Sequence, residues 1–351
     1  MEPTAWWSLT LSLLATVGIV ALVMALYRWI ARRWQLPAAE ARDTLMPSTV
    51  LGTDSQWSQQ DLALADDLHQ CLERGGAGLS LLYQPKVSAR EGHFTGAEAL
   101  LRWQHPVLGR VDPGTFLAVA ERHHLMPRLG HWVLQEACRQ MAEWHSQGWR
   151  IGVAVNLSRQ QVLDPHLALQ VAQALAQHHV RPDQLTLELN EAAGGALDAS
   201  VQAPLVQRLD ALAREGVRLS LDDGRSPTPW LQALGATSVH EVKMDGRRLA
   251  QSPADPVALA DVSMAHAAGL RVVAVGVEET GQAQRLRDAG CDELQGYLYA
   301  KAMPGRHLAM WLREGLSTGS RSLSPETLTA LEPPAMTRAS AVSRSFPTIT
   351  G

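Results

Sequence analysis

Short apolar runs alternate along the middle of the chain with longer stretches whose apolar residues return every three or four positions. The runs Leu79 to Tyr83, Phe94 to Leu100, Ile151 to Asn156, Leu185 to Leu189, Val217 to Leu221, Val239 to Met244, Leu270 to Val275 and Glu293 to Leu298 predict eight strands. Between them, Gly130 to Gln147, Leu167 to His178, Ala203 to Glu215, Pro256 to Ala268 and Gln282 to Ala289 predict helices. Several of these are followed by glycine (Gly148, Gly216, Gly269, Gly290), which takes the left-handed conformation that ends a helix. Strand and helix in alternation mean a mostly parallel sheet. The region from about residue 58 to 316 matches the roughly 250 residues of one closed (β/α)8 barrel. A doubly wound open sheet is the alternative, but no GxGxxG or GxxxxGK[ST] loop supports it.

The first 33 residues read differently. Trp6 to Tyr27 carries no charge and is long enough, as a helix, to cross a hydrocarbon layer of about 30 Å. Trp6, Trp7, Tyr27 and Trp29 stand at its ends, and Arg28, Arg32 and Arg33 lie downstream against Glu2 upstream. This predicts an uncleaved single-pass anchor with the bulk of the chain on the cytoplasmic side. A cleaved signal peptide, the competing reading, needs a basic leader and a shorter apolar stretch. Residues 34–57 hold Pro37, Pro47 and Gly52 without a sustained period and predict a linker. Residues 317–351, rich in Ser, Thr and Pro, predict a disordered tail.

Charge and cysteine content narrow the classes further. The 351 residues include 31 basic and 35 acidic ones, a net charge of -4, which excludes a basic protein that coats a nucleic-acid polymer. Three scattered cysteines, Cys71, Cys138 and Cys291, make neither a disulfide framework nor a zinc cluster. His105, the pair His123 and His124, and the pair His178 and His179 lack HExxH spacing and read as surface or structural residues. Trp132 and Trp144, in a helical context, read as packing onto the barrel rather than as base-stacking residues.

The chemistry stands where the apolar runs stop. Glu98 ends FTGAE, Asn156 ends VAVN, Glu188 lies in LTLELNE, Asp222 and Asp223 follow VRLSL, and Lys243 ends VHEVK. In a (β/α)8 barrel the carboxyl ends of the strands share one face, so these groups converge. Oxygen donors without histidine or cysteine suit Mg2+, Mn2+ or Ca2+ rather than zinc. Clustered carboxylates repel one another until a cation neutralises them.

At these points the sequence resembles the EAL-domain family of cyclic di-GMP phosphodiesterases. The resemblance rests on YQPKV (Tyr83 to Val87), GAEALLRWQHP (Gly96 to Pro106), VDPGTFLAVAE (Val111 to Glu121), LGHWVLQEAC (Leu129 to Cys138), VAVNLS (Val153 to Ser158), ELNE (Glu188 to Glu191), LDD (Leu221 to Asp223), VKMD (Val242 to Asp245), GVEET (Gly276 to Thr280) and GCDELQGYL (Gly290 to Leu298). It implies an EAL-type barrel whose first strand runs antiparallel to the other seven. It implies that Glu98, Asn156, Glu188 and Asp222 hold a first Mg2+ or Mn2+, and that Asp222 and Asp223 share a second. Lys243 orients or deprotonates the attacking water, Glu191 steadies the loop after Asp222, Arg102 grips a phosphate, and Gln84 contacts the ligand. A paired, homodimeric barrel and a place at the bacterial inner membrane complete the expectation.

Two departures stand against this pattern. Where the family has phenylalanine and a glycine-threonine-glycine turn after the aspartates, this chain has Gly224, Arg225, Ser226, Pro227, Thr228 and Pro229. Two prolines fix φ and remove amide donors, whereas glycines permit positive φ. Where the family has a glutamate credited with the second metal or with base catalysis, this chain has Val275 in AVGVE. The sequence thus predicts binding of cyclic di-GMP with weak or absent hydrolysis. The alternatives are an active phosphodiesterase in which Glu278 or Glu279 replaces the missing carboxylate, and a noncatalytic interaction module.

Overall fold

The computed structural model describes residues 59–190, 199–222, 239–250 and 256–317. The predicted anchor, the linker and the tail beyond residue 317 lie outside these residues, as do Glu191, Asp223 and the loop 224–229. No described helix is long and apolar enough to cross a membrane. The chain divides into two units, Met1–His69 and Gln70–Gly351, and every strand lies in the second.

The elements that matter are β1 (Leu79–Ser88), β2 (Phe94–His105), β3 (Gly109–Val111), β4 (Val153–Leu157), β5 (Leu185–Asn190), β6 (Arg218–Asp222), β7 (Glu241–Asp245), β8 (Arg271–Val275), β9 (Glu293–Gln295) and β10 (Met303–Pro304). Among the helices are α1 (Gln59–Glu73), α2 (Pro113–Arg122), α3 (Met126–Ser146), α4 (Arg159–Leu163), α5 (Leu167–Gln177) and α6 (Ala199–Arg214). They are followed by α7 (Gly246–Ala250), α8 (Pro256–Ala267), α9 (Thr280–Asp288) and α10 (Gly305–Ser317).

Eight strands close in the order β1-β2-β4-β5-β6-β7-β8-β9 and back to β1. β2 pairs parallel with β4, and each strand from β4 onward pairs parallel with the next through β9. β1 alone runs antiparallel, to both β2 and β9. The eight predicted strands are therefore all present, and the open-sheet alternative is excluded by closure.

Period-two alternation explains why the barrel has a polar bore. In β5, Leu185, Leu187 and Leu189 are fully buried in the apolar layer shared with helix residues Val171 and Leu205, while Thr186 and Glu188 take the opposite face. β6 repeats this with Leu219 and Leu221 against Ser220 and Asp222, and β7 with Val242 and Met244 against Glu241 and Lys243. Each fully buried leucine stabilises the outer layer by about 1.5–3 kcal/mol. Trp144 of α3 is completely buried, edge-on to Tyr83 at 4.9 Å, and its indole N–H donates to the Gly305 carbonyl.

The ends of elements differ from expectation for local reasons. β1 and β2 run longer because they form one ladder from Leu79↔Trp103 to Val87↔Phe94. β9 stops at Gln295 instead of Leu298, because the chain turns there against the strand-end segment. The Leu298 N–H donates to the Val277 carbonyl, and a Cβ at Gly296 would lie 2.0 Å from that oxygen. Only glycine allows that approach. α3 begins four residues before the predicted Gly130, with Pro127 in its first turn, where a missing amide donor costs nothing.

Candidate metal centre

Five inward-facing residues, Glu98, Asn156, Glu188, Lys243 and Gln295, meet at the carboxyl mouth of the bore. Glu98 Oε2 accepts from Lys243 Nζ at 3.0 Å and from Gln295 Nε2 at 2.8 Å, and Glu98 Oε1 accepts from Asn156 Nδ2 at 2.9 Å. Lys243 Nζ also donates to Glu188 Oε2 at 2.8 Å. Glu98, Glu188, Lys243 and Gln295 are all buried. Asp222 ends β6 half-buried, opposite Lys243 in the ladder, and its charge acts on Lys243.

Environment separates the two glutamates. Burial works to raise the Glu98 carboxyl, but Lys243 and the bonds from Asn156 and Gln295 overcome it and hold the group down at about 2. Burial, together with the neighbouring Glu98 charge, pushes Glu188 up to about 8 despite Lys243. Burial works to lower Lys243, yet Glu188 and Glu98 raise it well above the ordinary lysine range. Lys243 is a fixed cation here.

The residues fit a hard divalent ion. Among the described residues no three His, Cys, Asp or Glu side chains cluster closely enough to hold an ion by themselves. However, Glu188 Oε1 is buried without a hydrogen-bond partner, a costly position for a carboxylate oxygen. The donors gathered at this mouth are carboxylate and amide oxygens, the set that Mg2+ and Mn2+ prefer. Glu98, Asn156, Glu188 and Asp222 are the residues that would hold the ion.

Arg102, two residues beyond the inward-facing Leu100 on β2, lines a cavity of about 550 Å³ shared with Glu98, Asn156, Leu117 and Gln161. Its Nη1 donates to the Leu101 carbonyl, while its Nε is buried without a hydrogen-bond partner. Gln84, opposite Glu98 across β1 and β2, donates to the Ala300 carbonyl and accepts from Gln295 Nε2, both at 3.4 Å. Gln295 was not singled out from the sequence. Its signal was its place in GCDELQGYL, a polar residue inside the last apolar run.

Beneath this ring lies a second buried polar layer. Lys86 Nζ is 3.3 Å from Glu241 Oε1 and 4.0 Å from Glu293 Oε2, and Arg271 reaches Glu293 Oε1 at 2.8 Å.

Val275 ends β8 in register with Asp245 of β7 and Gln295 of β9, on the face that carries Gln295 into the bore. Beyond it, the N–H groups of Glu278 and Glu279 both donate to Gln282 Oε1, and both glutamates are exposed.

The remaining candidates have structural roles. His105 is buried, and its Nδ1 accepts from the N–H groups of Val107 and Leu108. His178 meets Gln135 at 3.1 Å. All three cysteines are buried, and burial pushes the thiols up, Cys138 and Cys291 to about 12, which rules against a thiolate nucleophile. Trp132 is half-buried and donates to the Gly75 carbonyl.

The EAL domain model matches residues 65–302. Over 261 residues the chain is 40% identical to the bifunctional diguanylate cyclase/cyclic di-GMP phosphodiesterase MucR of Pseudomonas aeruginosa, covering 72% of this chain and 36% of MucR. It is 34% identical over 239 residues to the oxygen sensor protein DosP of Escherichia coli, covering 67% of this chain and 29% of DosP. The chain thus spans about a third of the length of these relatives. Among solved structures, the MucR phosphodiesterase in complex with c-di-GMP superposes with a TM-score of 0.62 at 39% identity, covering 70% of this chain and 99% of that one. The FimX EAL domain of Pseudomonas aeruginosa bound to c-di-GMP gives 0.59 at 25% identity, covering 69% and 96%.

Proposed function

From the premise that the chain belongs to the EAL domain family, we propose that it binds cyclic di-GMP through Arg102 and one divalent ion and hydrolyses it weakly or not at all. The observation that carries this reading is Val275, an aliphatic side chain in register with Asp245 and Gln295. Binding is supported by the retained Glu98, Asn156, Glu188 and Arg102, and by the likeness to the MucR phosphodiesterase and the FimX EAL domain, both of which are bound to c-di-GMP in their solved structures.

Charge balance points the same way. Once a metal displaces the Glu188 proton, Glu98, Glu188 and Asp222 against Lys243 leave two negative charges among the described residues, which one divalent ion cancels. A second ion would need the carboxylate that Val275 replaces. When bound, such an ion neutralises phosphate charge and polarises the phosphoryl oxygen. Arg102 presents parallel N–H donors to the phosphate oxygens, and Lys243 supplies a fixed positive charge beside the reacting face. Valine offers no acceptor for a proton from water. Losing a positioned base costs about 10² to 10⁴ in rate, or about 3–5 kcal/mol in barrier. Exposed Glu278 and Glu279, with their amides tied to Gln282, give no support to a substitute base.

The reading extends to a single-pass anchor at residues 1–33, a linker over 34–57, an EAL domain over 58–316 facing the cytoplasm at the bacterial inner membrane, a disordered tail and a homodimer. Protease accessibility of the tail in inverted and right-side-out vesicles tests the topology. Incubation of the full chain with cyclic di-GMP and Mn2+, beside MucR as reference, tests the site. Binding with turnover at least about 100-fold below MucR is expected, and turnover equal to MucR's would overturn the reading.

A further inference from the structure

We infer that Gln161 is a positioning residue for Asn156, and that the metal centre depends on a side-chain clamp running from α3 to the end of β4. The inference rests on the reading of Asn156 as a metal ligand.

Asn156 is the next-to-last residue of β4, and the chain leaves the strand at Ser158, the N-cap of α4. The Asn156 amide can face Glu98 in one sense only, because a carboxylate accepts and does not donate. Nδ2 donates to Glu98 Oε1 at 2.9 Å, so Oδ1 is the atom left uncommitted to Glu98. One hydrogen bond does not fix a solvent-exposed side chain; its backbone must be held as well.

Gln161 holds it. Its Oε1 accepts from both the N–H and the hydroxyl of Ser158, at 3.1 and 3.0 Å, and its own N–H donates back to Ser158 Oγ at 3.3 Å. Both side chains are buried. α4 has only five residues, so this reciprocal cap stabilises a helix too short to stabilise itself. Gln161 is pinned in turn by α3. A Cβ at Gly130 would lie 1.8 Å from Gln161 Nε2, so a glycine in mid-helix is what admits the amide. Mid-helix glycine costs about 0.5–1 kcal/mol relative to alanine, and no φ requirement explains it here, since Gly130 is absent from the positive-φ glycines. Gln161 and Asn156 both border the cavity that Arg102 lines, so the clamp forms its wall.

Partners that orient metal ligands commonly carry about 10- to 100-fold of metal affinity. The test is a Mn2+ titration of the full chain followed by electron paramagnetic resonance, with folding monitored by circular dichroism. Gln161→Ala and Ser158→Ala should each weaken Mn2+ binding by about 10-fold or more. Ser158→Thr, which keeps the capping hydroxyl, should stay close to wild type. Asp164→Ala serves as a structural control: it removes the carboxylate that accepts from the His166 N–H and from Gln170 Nε2, away from the Ser158–Gln161 clamp, and it should leave Mn2+ affinity unchanged. Asn156→Ala separates the two levels of the argument. If it weakens Mn2+ binding while Gln161→Ala and Ser158→Ala do not, the positioning role falls and the ligand reading stands. If Asn156→Ala itself leaves Mn2+ affinity intact, both fall. Should Gln161→Ala fail to fold, Ser158→Ala against Ser158→Thr makes the same comparison.

Discussion

Replacing Lys86 by methionine probes the buried layer below the site. Lys86 is 5% exposed and its ammonium lies between Glu241 and Glu293, themselves 5% and 6% exposed. Methionine fills the space and removes the charge, leaving Glu241 without the cation that offsets its burial. Breaking a buried pair from one side costs about 3–5 kcal/mol, which for a domain of this size lowers the melting temperature by about 6–20 °C. The pH dependence has a definite sign. Burial works to raise Glu241, but Lys86 overcomes it and the carboxyl lies below its ordinary value. In the wild type this contributes stability present above the unfolded pKa and lost as pH falls. Without Lys86, burial prevails and the folded pKa rises, so protonation relieves the penalty and the deficit of the variant shrinks as pH falls. Urea unfolding followed by tryptophan fluorescence at pH 8 and pH 5 measures both values. Lys86→Met combined with Glu241→Gln should recover part of the loss. A cost under about 1 kcal/mol at pH 8, or a deficit that does not shrink at pH 5, would show that the pair is not carrying the bore as argued.

Other outcomes follow from the site and the backbone. With Glu188 pushed up to about 8, protons compete with the ion, so Mn2+ affinity in calorimetry should fall steadily from pH 8 to pH 6; a flat profile would place the ligand elsewhere. In chelated protein the same raised pKa contributes stability present at low pH and lost as pH rises through about 8, readable by thermal melts with EDTA. Val275→Glu should restore only part of the missing turnover, because residues 224–229 also depart from the family's loop; turnover equal to MucR's in that single variant would show that the loop is immaterial. His124 sits at φ 56 without being glycine, so His124→Gly should stabilise the domain by about 1 kcal/mol in urea titration, and a loss of stability would show that its side-chain contacts outweigh the strain.

Much of the barrel could be read from the chain because the outer face of each strand is continuously apolar. Leu185, Leu187 and Leu189 announce β5, and Glu188 between them announces the bore. Strand ends were harder, since they are set by tertiary contact: the turn at Gly296 against Val277 truncates β9, and no local signal in GYL reveals it. The antiparallel direction of β1 came through resemblance and not through periodicity, because a strand's pattern is the same in either direction. At the mouth, Glu98, Asn156, Glu188 and Lys243 were visible as polar residues ending apolar runs. The layer below was missed although its signal is the same alternation: Lys86 is two residues from Gln84, Glu241 two from Lys243, and Glu293 two from Gln295. Singly, each resembles a solvated charge. α2 was also overlooked, although Asp112 caps it through the Thr115 N–H and Pro113 opens it.

The count of ions at the mouth of the bore tests the account most directly. A crystal of the full chain grown with cyclic di-GMP and Mn2+, examined by anomalous scattering at the manganese edge, should show one ion among Glu98, Asn156, Glu188 and Asp222, with uncleaved dinucleotide beside Arg102. Two fully occupied ions, or linear product in the cavity, would contradict it.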